Sequence, residues 1–281
     1  MPEDDLMPTS PTVRRRQLST ELRRLRMAAG YTLEGVAEAL ETSRGKISHI
    51  ETGRRKKPAI LEINALLDLY GVEAEQQRAA VLELARQSKE TGWWTRYDDV
   101  FTGAYVELEA EAVRIDTYEP MIVPGLLQTD DYAAEIAKAI LKSPSEVDRY
   151  VEARKRRQEI LTNDDAPVVW AIMEETTLLR LRRWPQLLRG QIARLIDVAG
   201  HPETVTLQLI PMDAGLHPGV TGAFAKMQFE SAPTVVYAET LTDGLYVERA
   251  SEVEQYARAF DHLQGFALSA RETISRLREL E

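Results

Sequence analysis

The chain has 281 residues, of which 44% are hydrophobic, so it is long and apolar enough to fold into two domains. It has no cysteine, which excludes disulfides and thiolate metal sites, and no apolar run approaches the roughly 18 residues that span a bilayer. We therefore expect a cytoplasmic protein without membrane contact, although its net charge of −10 argues at first against a role in binding nucleic acid.

Residues 1–18 are predicted to form a disordered basic arm. Its cluster of Arg14, Arg15 and Arg16 could follow a phosphate backbone or enter a minor groove, as arms that precede DNA-binding helices do. A solvated basic tail is the alternative.

Residues 19–89 are predicted to form a five-helix domain. Apolar residues at helical spacing predict helices over residues 19–29, 33–40, 44–51, 58–70 and 73–89. Gly30 suits a left-handed helix end, and Thr32 and Ser43 suit N-caps. Ala37 supplies the small side chain that two crossing helices need. This pattern is typical of a helix-turn-helix, which places one helix in the major groove of DNA.

The helix predicted over residues 44–51 carries the functional signal. Arg44 and Lys46 lie in its first turn, where the helix dipole favours acids and each cation costs roughly a few tenths of a kcal/mol. A nearby polyanion would turn that cost into a gain, so we interpret this helix as the one that reads DNA. The alternative is an amphipathic helical hairpin with ordinary surface cations.

Positive charge is concentrated around this helix. Residues 12–60 contain 12 Lys and Arg against 5 Asp and Glu, whereas residues 61–281 contain 23 against 37. The acidic remainder should avoid DNA and leave one docking face. It could also attract a basic partner, and solubility is the plainer explanation of the acidity.

Residues 22–54 resemble the DNA-binding domain of the Cro/C1-type, or xenobiotic-response-element, regulators. Their pattern has a first helix rich in Leu and Arg, then Gly, T-L-x-x-[VL]-A-x-x-L and S-x-x-x-I-S-x-I-E-x-G-x-R, and nearly every position matches. Two positions depart from the pattern. Glu41 stands where the turn often has Gly, and Gly45 has no side chain with which to contact a base.

This resemblance implies a set of functional residues. The positions that meet base edges are Ser43, Arg44, Gly45 and His49, and those that meet phosphate are Thr32, Thr52 and Arg54. Lys46 completes the predicted DNA-binding set. Arg26 and Glu51 match a pair that forms a buried ion pair between the first and third helices of these domains.

Residues 90–281 are predicted to form a second domain of the α+β class. The aromatic-rich segment over 92–112 could stack nucleobases, but packing between the domains is the interpretation that its acidity favours. A helix follows within GLLQTDDYAAEIAKAI, and another covers 145–162. The second helix carries a basic run at 154–157, which either binds phosphate or pairs with the domain's own acids.

After residue 165 the pattern favours strands. VVWAIM, VTLQLI, FAKMQF and TVVYAE predict about four strands in a mixed, mainly antiparallel sheet, with a helix over 186–199 between the first two. Residues 252–280 predict one or two long helices with a wide apolar face. The fold class is therefore α+β and mostly helical.

Three motifs of this second domain resemble a narrower family of large actinobacterial helix-turn-helix regulators. The motifs are PGLLQTDDYA at 124–133, RKRRQEIL at 154–161 and the run through LIPMDAGLHPGVTGAF at 209–224. Such regulators are often encoded beside a small protein, in an arrangement likened to toxin–antitoxin pairs. The resemblance thus implies an antitoxin-like protein with a small partner protein as one possibility.

An enzyme is disfavoured by the sequence. The four histidines are far apart, and no phosphate-binding, dinucleotide-binding or nucleophile-elbow motif is present, so we expect neither cofactor nor metal. Glu174 and Glu175 could supply a catalytic carboxylate, but a solvated helix start is the preferred interpretation. His217, in a loop of Gly and Pro, could bind a ligand or metal, but a surface histidine without such a role is the preferred interpretation.

The sequence therefore predicts a transcriptional regulator that binds a specific double-stranded DNA site as a homodimer. Two copies of the reading helix would contact half-sites of an inverted repeat about one DNA turn apart. Two alternatives remain. One is the antitoxin-like protein described above, with DNA binding for autoregulation. The other is a regulator whose second domain senses a small molecule.

Overall fold

The computed structural model describes residues 11–55, 57–88, 93–97, 99–101, 104–230, 232–240 and 244–281. The chain divides into two compact units, Met1–Arg96 and Tyr97–Glu281. The sequence placed this division at residue 89 instead. No helix within the described ranges has the length and apolarity needed to cross a membrane.

In its described residues, the first unit is a bundle of five α-helices, as the sequence predicted. They are α1 (Pro11–Ala28), α2 (Leu33–Ala39), α3 (Arg44–Glu51), α4 (Ile60–Leu69) and α5 (Glu75–Gln87). One apolar core joins all five helices and includes the fully buried side chains of Leu22, Val36, Ile63 and Leu67. Because each helix buries one stripe, the opposite faces of α2 and α3 are left to solvent.

Helix α1 begins earlier than predicted. The structure places residues 11–18, including the three arginines of the expected arm, inside this helix, while residues 1–10 lie outside the described part of the chain. The cause is packing, since Leu18 is as deeply buried as Leu22 four residues later. Ser19 also donates a hydrogen bond to the carbonyl of Ile50 at 2.7 Å, which fastens α1 to the end of α3.

The turn between α2 and α3 has a left-handed residue at its centre. Glu41 has φ of 48° and is the only non-glycine residue with positive φ in the described ranges. A side chain in this conformation costs about 1 kcal/mol or more. Glu41 therefore adopts a left-handed conformation although it is not glycine, at some cost in stability.

Within the described part of the chain, the second unit is a six-stranded mixed sheet covered by helices. Its strands are β1 (Arg114–Glu119), β2 (Val168–Glu174), β3 (Val205–Ile210), β4 (Phe224–Gln228), β5 (Val235–Glu239) and β6 (Gly244–Val247). The order is β3-β2-β1-β4-β5-β6, with β1, β2 and β3 parallel and the other neighbours antiparallel. The helices are α6 (Tyr105–Glu111), α7 (Asp130–Ile140), α8 (Pro144–Gln158), α9 (Thr176–Leu179), α10 (Pro185–Ala199), α11 (Ala250–Phe266) and α12 (Ala270–Leu280).

Two strands, β1 and β6, were not predicted. Strand β1 is central and buried on both faces, yet its sequence RIDTYE is largely polar. Asp116 is tolerated there because Lys226 of β4 and Arg114 each approach its carboxylate at 2.8 Å. Such a neutralised buried acid breaks the apolar pattern on which strand prediction depends. The α+β class is confirmed, with six strands in place of four.

The C-terminal helices pack on the sheet. Phe260 and Leu263 of α11 join a core with Ile172 and Val236, and Leu277 of α12 is fully buried. The wide apolar face predicted over 252–280 is therefore used within the unit.

Candidate nucleic-acid interface

Helix α3 turns one face to the core and the other to solvent. Ile47 and Ile50 are buried, whereas Ser43, Arg44 and His49 are exposed. Ser43 caps the helix, since its hydroxyl accepts the backbone N–H of Lys46 at 3.2 Å. The cap leaves the hydroxyl hydrogen of Ser43 free to donate outward.

A shallow depression lies along this exposed face. It is lined by Ser43, Gly45, Lys46, His49 and Arg55. Gly45 meets nothing within 4 Å of the place where a Cβ would stand, so a partner can approach its backbone closely. The backbone at the start of α3 is therefore accessible at this position.

Arg55 lines this depression but is not one of the residues predicted from sequence to contact DNA, whereas its neighbour Arg54 is. A turn at Gly53, with φ of 68°, folds the chain back so that the Arg55 backbone N–H bonds the carbonyl of His49 at 3.0 Å. Arg55 thus lies beside α3, and Arg54 is exposed. The geometry of the turn at Gly53 decides which of the two arginines lies beside α3, and the sequence alone does not show it.

Glu62 of α4 holds two cations at this depression. It contacts Lys46 Nζ at 2.6 Å and Arg55 Nη2 at 2.9 Å. Burial would raise the pKa of Glu62, but hydrogen bonds from Lys46 and the Ala59 backbone, with the charge of Arg55, hold that pKa below its usual value. Glu62 therefore stays ionised and positions both cations, a role that the sequence alone did not indicate.

Arg44 also has an acidic neighbour. Its Nε lies 2.5 Å from Oε1 of Glu34, and both side chains are 65% exposed. Exposed pairs of this kind contribute about 0 to 1 kcal/mol. The contact is weak enough for Arg44 to exchange Glu34 for a base edge.

The two threonines predicted at phosphate positions are exposed and already hydrogen-bonded. Thr32 caps α2 by accepting the backbone N–H of Gly35 at 3.0 Å. Thr52 donates its hydroxyl hydrogen to the carbonyl of Ser48 at 2.7 Å. Thr32 can still donate to a phosphate oxygen, whereas Thr52 must first rotate away from Ser48.

Arg26 and Glu51 form a two-pronged ion pair beneath this surface. Arg26 Nε and Nη2 lie 2.7 and 3.0 Å from the two carboxylate oxygens, with side chains 11% and 4% exposed. Arg26 Nη1 also donates to the carbonyl of Tyr31 at 2.7 Å. The pair therefore links α1, the start of the α2 segment and the end of α3.

Two of the motifs in the second unit meet in space. Gln158, from the basic motif on α8, donates to the carbonyls of Gly125 and Gln128 in the PGLLQ segment at 3.0 and 2.8 Å. Three of the four residues in the basic run pair with acids of the same unit: Arg157 with buried Glu109, Arg156 with Glu159 and Lys155 with Asp130. For these three residues, the structure supports pairing with the unit's own acids over phosphate binding, the other interpretation of the run.

Glu175 is buried, and Glu174 and His217 are partly buried, in contrast to the solvated and surface positions preferred from sequence. Glu174 accepts a hydrogen bond from the Tyr118 hydroxyl at 2.8 Å, and His217 Nε2 lies 3.2 Å from the same carboxylate. Glu175 is 2% exposed and bonds Arg276 at 2.7 Å. These carboxylates join loop and helix to the sheet. Within the described ranges, no group of three or more acidic, histidine or cysteine side chains could hold a metal ion.

Comparison with known families divides the chain in the same way. A family model described as "Helix-turn-helix domain" matches residues 17–81, and one described as "Domain of unknown function (DUF5753)" matches residues 102–279, more than half of the chain. No curated protein and no solved structure matches. The first match supports a DNA-binding regulator, whereas the second description names no activity.

Proposed function

The chain belongs to the family defined by the domain of unknown function DUF5753, and because a helix-turn-helix unit precedes that domain, we propose that it is a Cro/C1-type transcriptional regulator. It binds a specific double-stranded DNA sequence as a dimer. The observation that carries this proposal is the exposed face of α3. That face offers a capped helix N-terminus, an open glycine and cations, while its other face is anchored in the core.

In the proposed complex, the N-terminus of α3 enters the major groove. Ser43, Arg44 and His49 contact base edges, and Gly45 lets the groove wall approach the helix. Lys46, Arg54, Thr32 and Thr52 contact phosphate. Arg55, held beside Lys46 by Glu62, joins that second set. The charge of the polyanion removes the cost of placing two cations at the helix start.

Arg44→Ala and Arg54→Ala should weaken DNA binding in different ways. The operator is first located by genome-wide binding of the native protein. Arg44→Ala should then cost about 1–3 kcal/mol and relax the preference at one base pair, because a bidentate base contact is lost. Arg54→Ala should weaken binding to all sequences alike and reduce the salt dependence by about one phosphate contact.

Fluorescence anisotropy over a salt series and a set of single-base operator variants measures both effects. Arg86→Ala, an exposed arginine at the end of α5, is the matched control and should bind as the native protein does. Native-like binding by both test variants would contradict the proposed docking of α3.

A dimer is expected on the operator because one helix-turn-helix makes few base contacts. The full chain should have twice the chain mass in light scattering. It should also bind an inverted repeat far more tightly than a DNA duplex with one half-site. Since Phe260, Leu263 and Leu277 are used inside the second unit, the dimer contact must come from other residues. A monomer with equal affinity for both duplexes would disprove this part of the proposal.

A further inference from the structure

The second unit contains a cavity of about 240 Å³ at one end of its sheet. Strands β1 and β5 end here with Glu119 and Glu239, and β4 begins here with Phe224. Helix α8 and the PGLLQ segment close the other side through Arg154 and Gly125. The cavity thus lies where two of the sequence motifs meet, and the DNA-binding role makes no use of it.

Aromatic side chains form much of the cavity wall. The rings of Tyr105 and Tyr237 are 4.4 Å apart, and Phe224 and Tyr150 also line the space. Ligand sites in proteins combine such apolar walls with a few convergent polar groups. At roughly 30 Å³ per water molecule, the volume holds about eight waters, which suits a molecule of amino-acid size.

One of the two cavity arginines has no acidic partner. Arg157 is neutralised by the buried carboxylate of Glu109, whereas Arg154 makes no ion pair within the described ranges. Arg154 lies over the ring of Tyr150, with its guanidinium carbon 5.0 Å from the ring centre, and bonds the Tyr150 hydroxyl. A Cβ at Gly125 would collide with this guanidinium, so the glycine makes room for it.

Glu119 is the second cavity group without an oppositely charged partner in the described part of the chain. Its carboxyl makes no hydrogen bond or ion pair within the described ranges, although it lines the cavity. Burial, and then the charge of Glu239, raises its pKa to about 7, against the opposing charges of Arg157 and Arg154. A partly buried carboxyl without a hydrogen-bond partner opposes folding, and such groups are typical of functional sites.

We propose that this cavity binds a small amphoteric molecule of the amino-acid type. Its carboxylate pairs with Arg154, its ammonium group with the carboxylate of Glu119, and its apolar body packs among Tyr105, Phe224 and Tyr237. One bound ligand then gives both Arg154 and Glu119 an oppositely charged partner. Binding itself does not depend on the proposed function, but a role for the ligand as effector rests on it.

Isothermal titration of the full-length protein with each of the standard free L-amino acids tests the proposal. At least one should bind with a Kd of about 1 mM or lower. Analogues of that amino acid that lack either the amine or the carboxylate should bind at least about tenfold more weakly. If no amino acid binds, or if either analogue binds equally well, the amphoteric site is disproved.

Two variants test whether the amino acid binds in this cavity. Arg154→Met and the isosteric Glu119→Gln should each weaken binding by about tenfold or more. Arg156→Met on the same helix and Glu135→Gln on α7 are exposed controls that should keep it. Retained binding in both test variants would overturn the assignment.

Operator affinity measured with and without the amino acid separates this inference from the proposed function. A ligand that binds and alters operator affinity supports an effector site. A ligand that binds without altering it overturns the effector role while the site stands. Absence of operator binding by the native protein would disprove the proposed function and leave the titration result unaffected.

Discussion

Glu51→Ala is expected to destabilise the helix-turn-helix unit by about 3–5 kcal/mol, because it leaves the charge of Arg26 buried without its partner. Both carboxylate oxygens of Glu51 contact Arg26, and the two side chains are nearly inaccessible to solvent. The remaining contact of Arg26, with the Tyr31 carbonyl, cannot neutralise a guanidinium. A loss of this size is a large part of the stability of a small unit.

Hydrogen exchange of the α1 and α3 amides measures this loss within the first unit alone. Glu38→Ala, an exposed acid on α2, is the control and should change stability by less than about 0.5 kcal/mol. The double variant Arg26→Met with Glu51→Leu should recover most of the loss, because neither charge then remains buried. If Glu51→Ala matched the native protein, the pair would contribute nothing to the fold.

The first unit could be predicted almost entirely from local signals. The caps Thr32 and Ser43, the small Ala37 and the apolar spacing are all encoded within short segments, and the structure places α2 and α3 where they indicate. The start of α1 was missed because its extra turns depend on the burial of Leu18 in a core formed with residues that are distant in sequence. Local patterns do not contain such contacts.

The second unit was harder to predict because its polar residues are paired across long stretches of chain. Asp116 is paired with Lys226, and Glu175 with Arg276, so buried strands and carboxylates have the sequence of exposed ones. The same limit applies to the cavity. Glu119 and Arg154 are brought to one space only by the tertiary fold, in which α8 contacts the PGLLQ segment and faces the cavity. The sequence motifs identified the segments that contribute to the cavity, but they did not show that these segments are close together in the fold.

The pH dependence of stability provides a separate test of the environment of Glu119. Its pKa is raised from 4.5 to about 7 in the folded chain, by burial first and then by Glu239, while Arg157 and Arg154 oppose the shift. Between these two pH values the folded state binds more protons than the unfolded state, so this group makes stability fall as pH rises. The contribution of the protonated Glu119 carboxyl to the free energy of unfolding is fully present below about pH 4.5 and is lost above about pH 7.

Glu119→Gln should therefore leave stability near pH 4.5 unchanged and raise it at pH 8, because the neutral amide cannot acquire the buried charge. Since each pKa unit corresponds to about 1.4 kcal/mol, the gain is up to about 3 kcal/mol, reduced by whatever solvent enters the cavity. Hydrogen exchange of the β1 and β4 amides at both pH values measures it. Glu135→Gln, on the exposed face of α7, should show no such difference. A gain that is the same at both pH values would show that the pKa of Glu119 is not raised in the folded protein.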